Sequence, residues 1–161
     1  MTDHLDSTPQ YLFSEVATRL GVNTATATAW RTAKHFRVDP QSDAPATKGL
    51  PHLLSERDGV RLSIMAALAA QGLPLTDAGA AASRVADGPL ACTPGPAFLL
   101  VRSGSRAEVV GSIDAAALTA DQHAFTVLNL AERVALTRHA LAGLPKRLGA
   151  GSALHRQKEA V

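Results

Sequence analysis

The feature that most constrains the fold is residues 14–36, SEVATRLGVNTATATAWRTAKHF, in which two short helical patterns meet at a Gly-Val corner. Ser14 is predicted to cap the first helix. Gly21 stands where a left-handed residue ends a helix, and Val22 is predicted to be buried in the turn. A helix, a glycine-containing turn and a second helix together predict a helix-turn-helix motif.

The second helix of this motif carries unusually small side chains before its basic end. Asn23 or Thr24 is predicted to cap it, and the pattern runs to about Lys34. Residues 25–29 are all Ala or Thr, and Trp30 is expected to anchor the helix in the core. Because the major groove of DNA is only about 12 Å wide, a slender helix that ends in cations suits recognition of base edges there.

Two strand-like pieces, 35–38 and 52–54, flank a loop rich in Pro, Asp, Ser and Gly. Two short strands placed directly after a recognition helix would form a wing. Ser55 is predicted to cap the next helix, which Gly72 closes, and a further helix is predicted to begin near Thr76.

A linker is predicted at 87–96, where three prolines and two glycines fall together. Beyond it the pattern predicts, in order, strands at 97–104 and 107–113 joined as a hairpin, a short helix or turn at 114–120, a strand at 124–130 and a helix at 131–144. A domain this small is only marginally stable alone. Leu130, Val134 and Leu141 on the last helix are therefore expected to help pair two copies of the chain.

The formal net charge of the 161-residue chain is only +2, but its basic residues are concentrated. Between 11 and 38 there are four Arg or Lys residues against Glu15 alone, and the tail after Leu144 has a similar excess. The absence of a long apolar run excludes a membrane span, and the polar start of the chain does not predict a secretory signal. A single Cys92 fits a reducing compartment. The expected location is the cytoplasm, in association with the nucleoid.

The first half of the chain resembles the N-terminal domain of the MerR-type transcription regulators, a winged helix-turn-helix. The resemblance depends on YLFSEVATRLGVNTATATAWR and LLSERDGVRLSIMAALAAQGLPLTDAGAAAS. In that family an aromatic residue, here Trp30, lies near the end of helix two. A later capped helix then has the pattern R-L-x-x-I-x-x-L-x-x-x-G-x-x-L, matched here by Arg61, Leu62, Met65 beside Ile64, Leu68, Gly72 and Leu75.

The resemblance implies a regulator that binds DNA, but the chain departs from the family pattern. Family members usually have an Arg within helix two and a Tyr-Arg pair in the wing, where this chain has Thr28 and His52. Its wing loop is also longer. Since only Cys92 is available for metal sensing, mercury-type sensing is not expected. The predicted DNA contacts are Ser14, Asn23, Thr24, Ala25, Thr26, Thr28, Arg31, Lys34, Arg37, Lys48, His52 and Arg61.

The predicted fold class is α+β, with a winged helix-turn-helix domain followed by a small β-β-α-β-α domain for dimerisation or ligand sensing. The predicted divisions are a disordered 1–10, a DNA-binding domain at 11–86, a linker at 87–96, a second domain at 97–145 and a flexible basic tail at 146–161.

The predicted function is a homodimeric, sequence-specific transcription regulator of repressor or activator type, which binds palindromic or near-palindromic double-stranded DNA. An architectural, excisionase-like DNA-binding protein, a regulator whose second domain binds a small-molecule effector, and a protein-interaction adaptor are the alternatives. RNA polymerase and an unknown effector are further candidate partners. No catalytic constellation, metal site or cofactor motif is found, so enzymatic activity is not expected.

Overall fold

The computed structural model describes residues 4–42, 51–88, 97–102, 107–110 and 125–147. The helices are α1 (Phe13–Arg19), α2 (Thr24–Thr32), α3 (Glu56–Ala70), α4 (Leu75–Asp87) and α5 (Leu130–Ala142). The strands are β1 (Tyr11–Leu12), β2 (Leu53–Leu54), β3 (Phe98–Arg102), β4 (Ala107–Val110) and β5 (Phe125–Asn129). Helices and two small antiparallel sheets confirm the α+β class.

The corner between α1 and α2 forms as its residues predict. Gly21 has a φ of +72°, and Val22 is buried. The N–H of Val22 donates to the Ala17 carbonyl at 2.9 Å and that of Gly21 donates to the Thr18 carbonyl at 3.1 Å. These two bonds make a Schellman turn, which satisfies the last carbonyls of α1.

The start of α1 differs from the prediction, because Leu12 is the N-cap residue and no side chain caps the helix. The predicted cap at Ser14 is therefore wrong. Ser14 is already one residue inside the helix, where its carbonyl accepts a hydrogen bond from the Thr18 hydroxyl. Strand β1 leads directly into α1, so strand pairing orients the entering chain instead of a side-chain cap.

Helices α3 and α4 confirm most of the local predictions. Ser55 and Asp58 form a capping box at the start of α3, and Gly72 has a φ of +90° after its end. The predicted helix near Thr76 begins at Leu75, after Pro74.

The predicted wing strands do not pair with each other. Residues 35–38 form no strand, and β2 instead pairs with β1 in antiparallel register, Tyr11 opposite Leu54. The loop residues 43–50 lie outside the described residues. The prediction that 35–38 and 52–54 form a two-stranded wing is therefore wrong, since burial of Phe36 and Asp39 holds the first of these segments against the helices.

The second sheet has the strand order β4-β3-β5, with Phe98 opposite both Val110 and Asn129. Its strands confirm the predicted pieces, and α5 confirms the predicted helix at 131–144, shifted by a residue or two at its ends. The hairpin turn at 103–106, the predicted helix at 114–120 and most of the predicted linker at 87–96 lie outside the described residues.

Helix α5 packs against α3 within the same chain. Leu130, Val134 and Leu141 are buried in one cluster with the residues of α1, α3 and α4. A Cβ on Gly59 would lie only 3.2 Å from Leu141 Cδ1, so the glycine permits a close helix approach. These three apolar residues of α5 are therefore not available to a second copy, contrary to the expectation from the sequence.

Candidate nucleic-acid interface

Helix α2 presents a face of small side chains to solvent. Ala27 points inward and is fully buried, while Trp30 is half-buried and packs against the core. The opposite face is exposed and comprises Ala25, Thr26, Thr28 and Ala29. Trp30 therefore anchors the helix as predicted, and the outward surface has no long side chain before Arg31.

Two of the predicted contact residues also shape the helix. The Asn23 side chain caps α2, because its Oδ1 accepts from the N–H of Ala25 at 2.9 Å and from that of Thr26 at 3.4 Å. The Thr28 hydroxyl donates to the Thr24 carbonyl at 2.8 Å. Thr28 therefore presents its methyl group and acceptor lone pairs outward, which suit a thymine methyl or a base amino group better than a phosphate.

The basic residues cluster at the end of α2 and in the segment that follows. Arg31 is half-buried, and Lys34 and Arg37 are exposed. No acidic residue occurs between 16 and 38. The acidic residue on the N-terminal side, Glu15, pairs with Arg147 at 3.1 Å. A positive potential at this surface follows from the composition of the segment.

A second Schellman turn ends α2, with Lys34 at the left-handed position and a φ of +61°. The N–H of Lys34 donates to the Arg31 carbonyl at 2.9 Å, and that of His35 donates to the Trp30 carbonyl at 2.9 Å. These bonds fix the direction in which the chain leaves the helix.

Arg61 has a different role from the one predicted, because it is only 4% exposed. Its Nη1 lies 2.8 Å from Asp58 Oδ1, its Nη2 lies 2.7 Å from Asp39 Oδ1, and Nη2 also contacts Asp87. Burial alone would lower the pKa of Arg61, but the hydrogen bonds to Asp87 and Asp39 and the charge of Asp58 raise it above its usual value. We therefore remove Arg61 from the set of DNA contacts.

The other predicted contacts are spread over the start of α1 and the loop before β2. His52 is exposed, and its carbonyl accepts from the N–H of Phe13 at 3.0 Å, which places it beside Ser14. Lys48 lies outside the described residues. The structure thus places His52 against Phe13, the residue before Ser14. The residues Asn23, Thr24, Ala25, Thr26 and Thr28 follow along α2, and Arg31, Lys34 and Arg37 follow at its end.

Sequence reasoning missed two residues that hold this surface in place, Asp39 and Gly79. Asp39 is buried against Arg61, and Gly79 of α4 contacts the His35 backbone. Both contacts join residues more than 20 positions apart, so no local pattern marks them. Only the observation that a glycine interrupts a helix could have singled out Gly79.

Among the described residues, no group of three His, Cys, Asp or Glu side chains could hold a metal ion. No helix in the described ranges is long and apolar enough to cross a membrane. Comparison with known protein families and with curated protein sequences gives no match.

Proposed function

We propose that this protein is a double-stranded DNA-binding transcription regulator related to the MerR-type winged helix-turn-helix proteins. The observation that carries the proposal is the exposed Ala/Thr face of α2, which is followed by cations within a segment that contains no acidic residue. A helix with short outward side chains approaches base edges closely, and the cations after it neutralise backbone phosphates.

The anchoring of α2 also favours this function. Ala27 and Trp30 hold the inward face, the Asn23 cap fixes the first turn, and a Schellman turn fixes the last. The exposed side chains therefore project from a rigid support, which lowers the entropic cost of binding. In this proposal two copies act together on a palindromic or near-palindromic site, so that the second half-site binds effectively intramolecularly.

Replacement of Thr28 by Asp tests the proposal directly. A carboxylate on the face that enters the groove would repel the phosphates, so we expect at least a tenfold loss of affinity for duplex DNA, equivalent to about 1.4 kcal/mol. Fluorescence anisotropy with duplexes selected from random sequence measures the loss, and circular dichroism checks that the variant is folded.

Thr18→Asp is the matched control. Thr18 is likewise exposed, and its hydroxyl likewise donates to the carbonyl four residues earlier at 2.8 Å, but it belongs to α1. The two variants add the same charge to the same motif. Equal affinities of the Thr28→Asp and Thr18→Asp proteins for duplex DNA would show that α2 does not enter the groove. Failure of the unaltered chain to bind any duplex at low salt would refute DNA binding altogether.

A further inference from the structure

Three helices of the described residues, α1, α2 and α3, end in the same Schellman turn. At the left-handed position α1 has Gly21 and α3 has Gly72, with φ values of +72° and +90°. In α2 the same position is Lys34, with a φ of +61°. A residue with a Cβ is disfavoured in this conformation, and the attraction of a cation to the negative end of the helix only partly offsets that cost, which glycine avoids. Lys34 is thus an exception that the stability of the turn does not explain.

The chain after Lys34 is held from the side of α4. A Cβ on Gly79 would lie 2.0 Å from the carbonyl oxygen of His35, a distance at which atoms overlap. Glycine at position 79 therefore sets how closely residues 34–36 approach α4. Phe36, which follows, is buried in the core.

A second anchor holds the chain from the side of α3. The N–H of Asp39 donates to Asp58 Oδ1 at 2.7 Å, and the Asp39 carboxylate accepts from Ser55 Oγ at 3.0 Å and Arg61 Nη2 at 2.7 Å. Arg37 lies in the chain between two buried residues, Phe36 and Asp39, and is itself exposed. The Asp39 carboxylate itself is buried and paired with Arg61, so it does not oppose an anion at the surface.

We propose that residues 34–37 form a preorganised phosphate-binding turn, in which Lys34 and Arg37 contact the backbone phosphates of duplex DNA and Gly79 and Asp39 position them. The C-terminal end of a helix carries partial negative charge and has no N–H groups to offer an anion, so the side chains supply the attraction. The left-handed backbone at Lys34 sets the direction of the lysine side chain, and the contacts at Gly79 and Asp39 set the position of Arg37. This inference rests on the proposed function and adds to it which residues grip the backbone and which set their geometry.

Lys34→Gly separates the role of Lys34 in DNA binding from its effect on the fold. The variant is expected to be more stable than the unaltered chain but to bind DNA more weakly. Glycine relieves the left-handed strain, so we expect the thermal midpoint of the full chain to rise by about 2–4 °C. Loss of one phosphate contact should lower the slope of log K against log salt by about 0.9. Anisotropy of a labelled duplex over a salt series gives this slope.

Arg84→Ala is the matched control, since Arg84 is an exposed cation of α4 outside the turn. We expect it to leave the salt slope unchanged. If the unaltered chain binds DNA with a salt-dependent affinity and Lys34→Gly retains the same slope, the phosphate-binding turn is refuted while the proposed function stands. Absence of DNA binding by the unaltered chain overturns both.

A double-mutant cycle tests the positioning role of Gly79. Gly79→Ala should weaken DNA binding in the unaltered chain, and it should weaken it less in a chain that already carries Lys34→Gly. Additive losses would show that Gly79 does not act through the turn. If Gly79→Ala fails to fold, Asp39→Asn replaces it in the same cycle, because it keeps the side-chain shape and leaves Arg61 paired with Asp58 and Asp87, and circular dichroism checks that this variant is folded.

Discussion

Arg37 and Arg61 carry the same guanidinium group in opposite surroundings. Arg37 is exposed in the turn after α2, whereas Arg61 is buried among Asp39, Asp58 and Asp87. The first can exchange water for a phosphate at little cost to the fold. The second is already bound to three carboxylates and joins the chain after α2 to α3 and to the end of α4. Burial, rather than residue type, separates a candidate DNA contact from a structural cation.

The buried group is more than one ion pair. Asp58 accepts hydrogen bonds from the N–H groups of Asp39 and Ser55, from Arg61 and from the Ser42 hydroxyl, and the single proton of the Ser55 hydroxyl lies between Asp58 and Asp39, each at 3.0 Å from its oxygen. Arg61 Nε is also buried and has no hydrogen-bond partner among the described residues. Replacing such a group with apolar residues is often neutral, but removing one member leaves uncompensated charge.

Arg61→Met gives the largest expected effect. Methionine fills part of the volume but leaves Asp58 buried without a counter-charge and Asp39 with only Arg57 at 3.9 Å, so we expect a loss of about 3–5 kcal/mol in the free energy of unfolding. Urea unfolding followed by circular dichroism measures it. Arg37→Ala is the control, with an expected change within about 0.5 kcal/mol. Equal losses in the two variants would contradict the contrast between buried and exposed arginine.

Ser55→Ala sharpens the comparison at the level of a helix cap. Ser55 is fully buried and caps α3, and we expect its replacement to cost about 1–2 kcal/mol, at the upper end of the range for caps. The exposed Asn129 caps α5 through a bond of 3.1 Å to the N–H of Glu132, so Asn129→Ala should cost less. Denaturant unfolding of both variants, at low and at high salt, measures the loss in the free energy of unfolding. A larger loss for Asn129→Ala than for Ser55→Ala would contradict the comparison.

Replacement of Tyr11 is expected to have the smallest effect on stability, and only in alkaline solution. Burial, followed by the negative charges of Glu56 and Asp6, raises the pKa of the Tyr11 hydroxyl above its usual value of 10.0. Its folded pKa thus exceeds its unfolded pKa. The contribution to stability is fully present below the unfolded pKa and is lost as pH rises through the folded one.

Tyr11→Phe should therefore unfold with a weaker pH dependence than the unaltered protein above pH 10.0 and with the same dependence near neutrality. Thermal midpoints measured across that range provide the comparison. Parallel curves for the two proteins would show that the hydroxyl is not responsible.

The local parts of the fold were predictable because their causes lie within a few residues. Gly21 and Gly72 adopt left-handed conformations, Asn23 and Ser55 cap their helices, and α5 follows its apolar spacing. The same holds for the outward face of α2, a candidate site whose residues are neighbours along one helix. The relationship of the chain to the MerR-type regulators and its binding to DNA stay predictions, and the Thr28→Asp experiment tests the second of them.

The wing pairing and the roles of Arg61 and α5 were not predictable in this way. A short apolar strand such as Leu53–Leu54 pairs with whichever partner the surrounding core brings near, and here that is β1. An arginine on a helix has no local mark of burial; Asp58 is a neighbour on the same helix, but only the packing of the chain brings Asp39 and Asp87 to Arg61. Likewise, the apolar stripe of α5 fits a second copy of the chain or α3 equally well until the chain is packed.

By itself the sequence determined where the chain turns and which helix carries small side chains before cations, since backbone conformation and periodicity are short-range properties. Tertiary structure alone decided which charges stay in water and which strands meet. It also decided how residues 34–37 are held, through Gly79 and Asp39. Those outcomes depend on close packing between residues far apart in the chain, where one carbonyl or one carboxylate at contact distance outweighs any local preference.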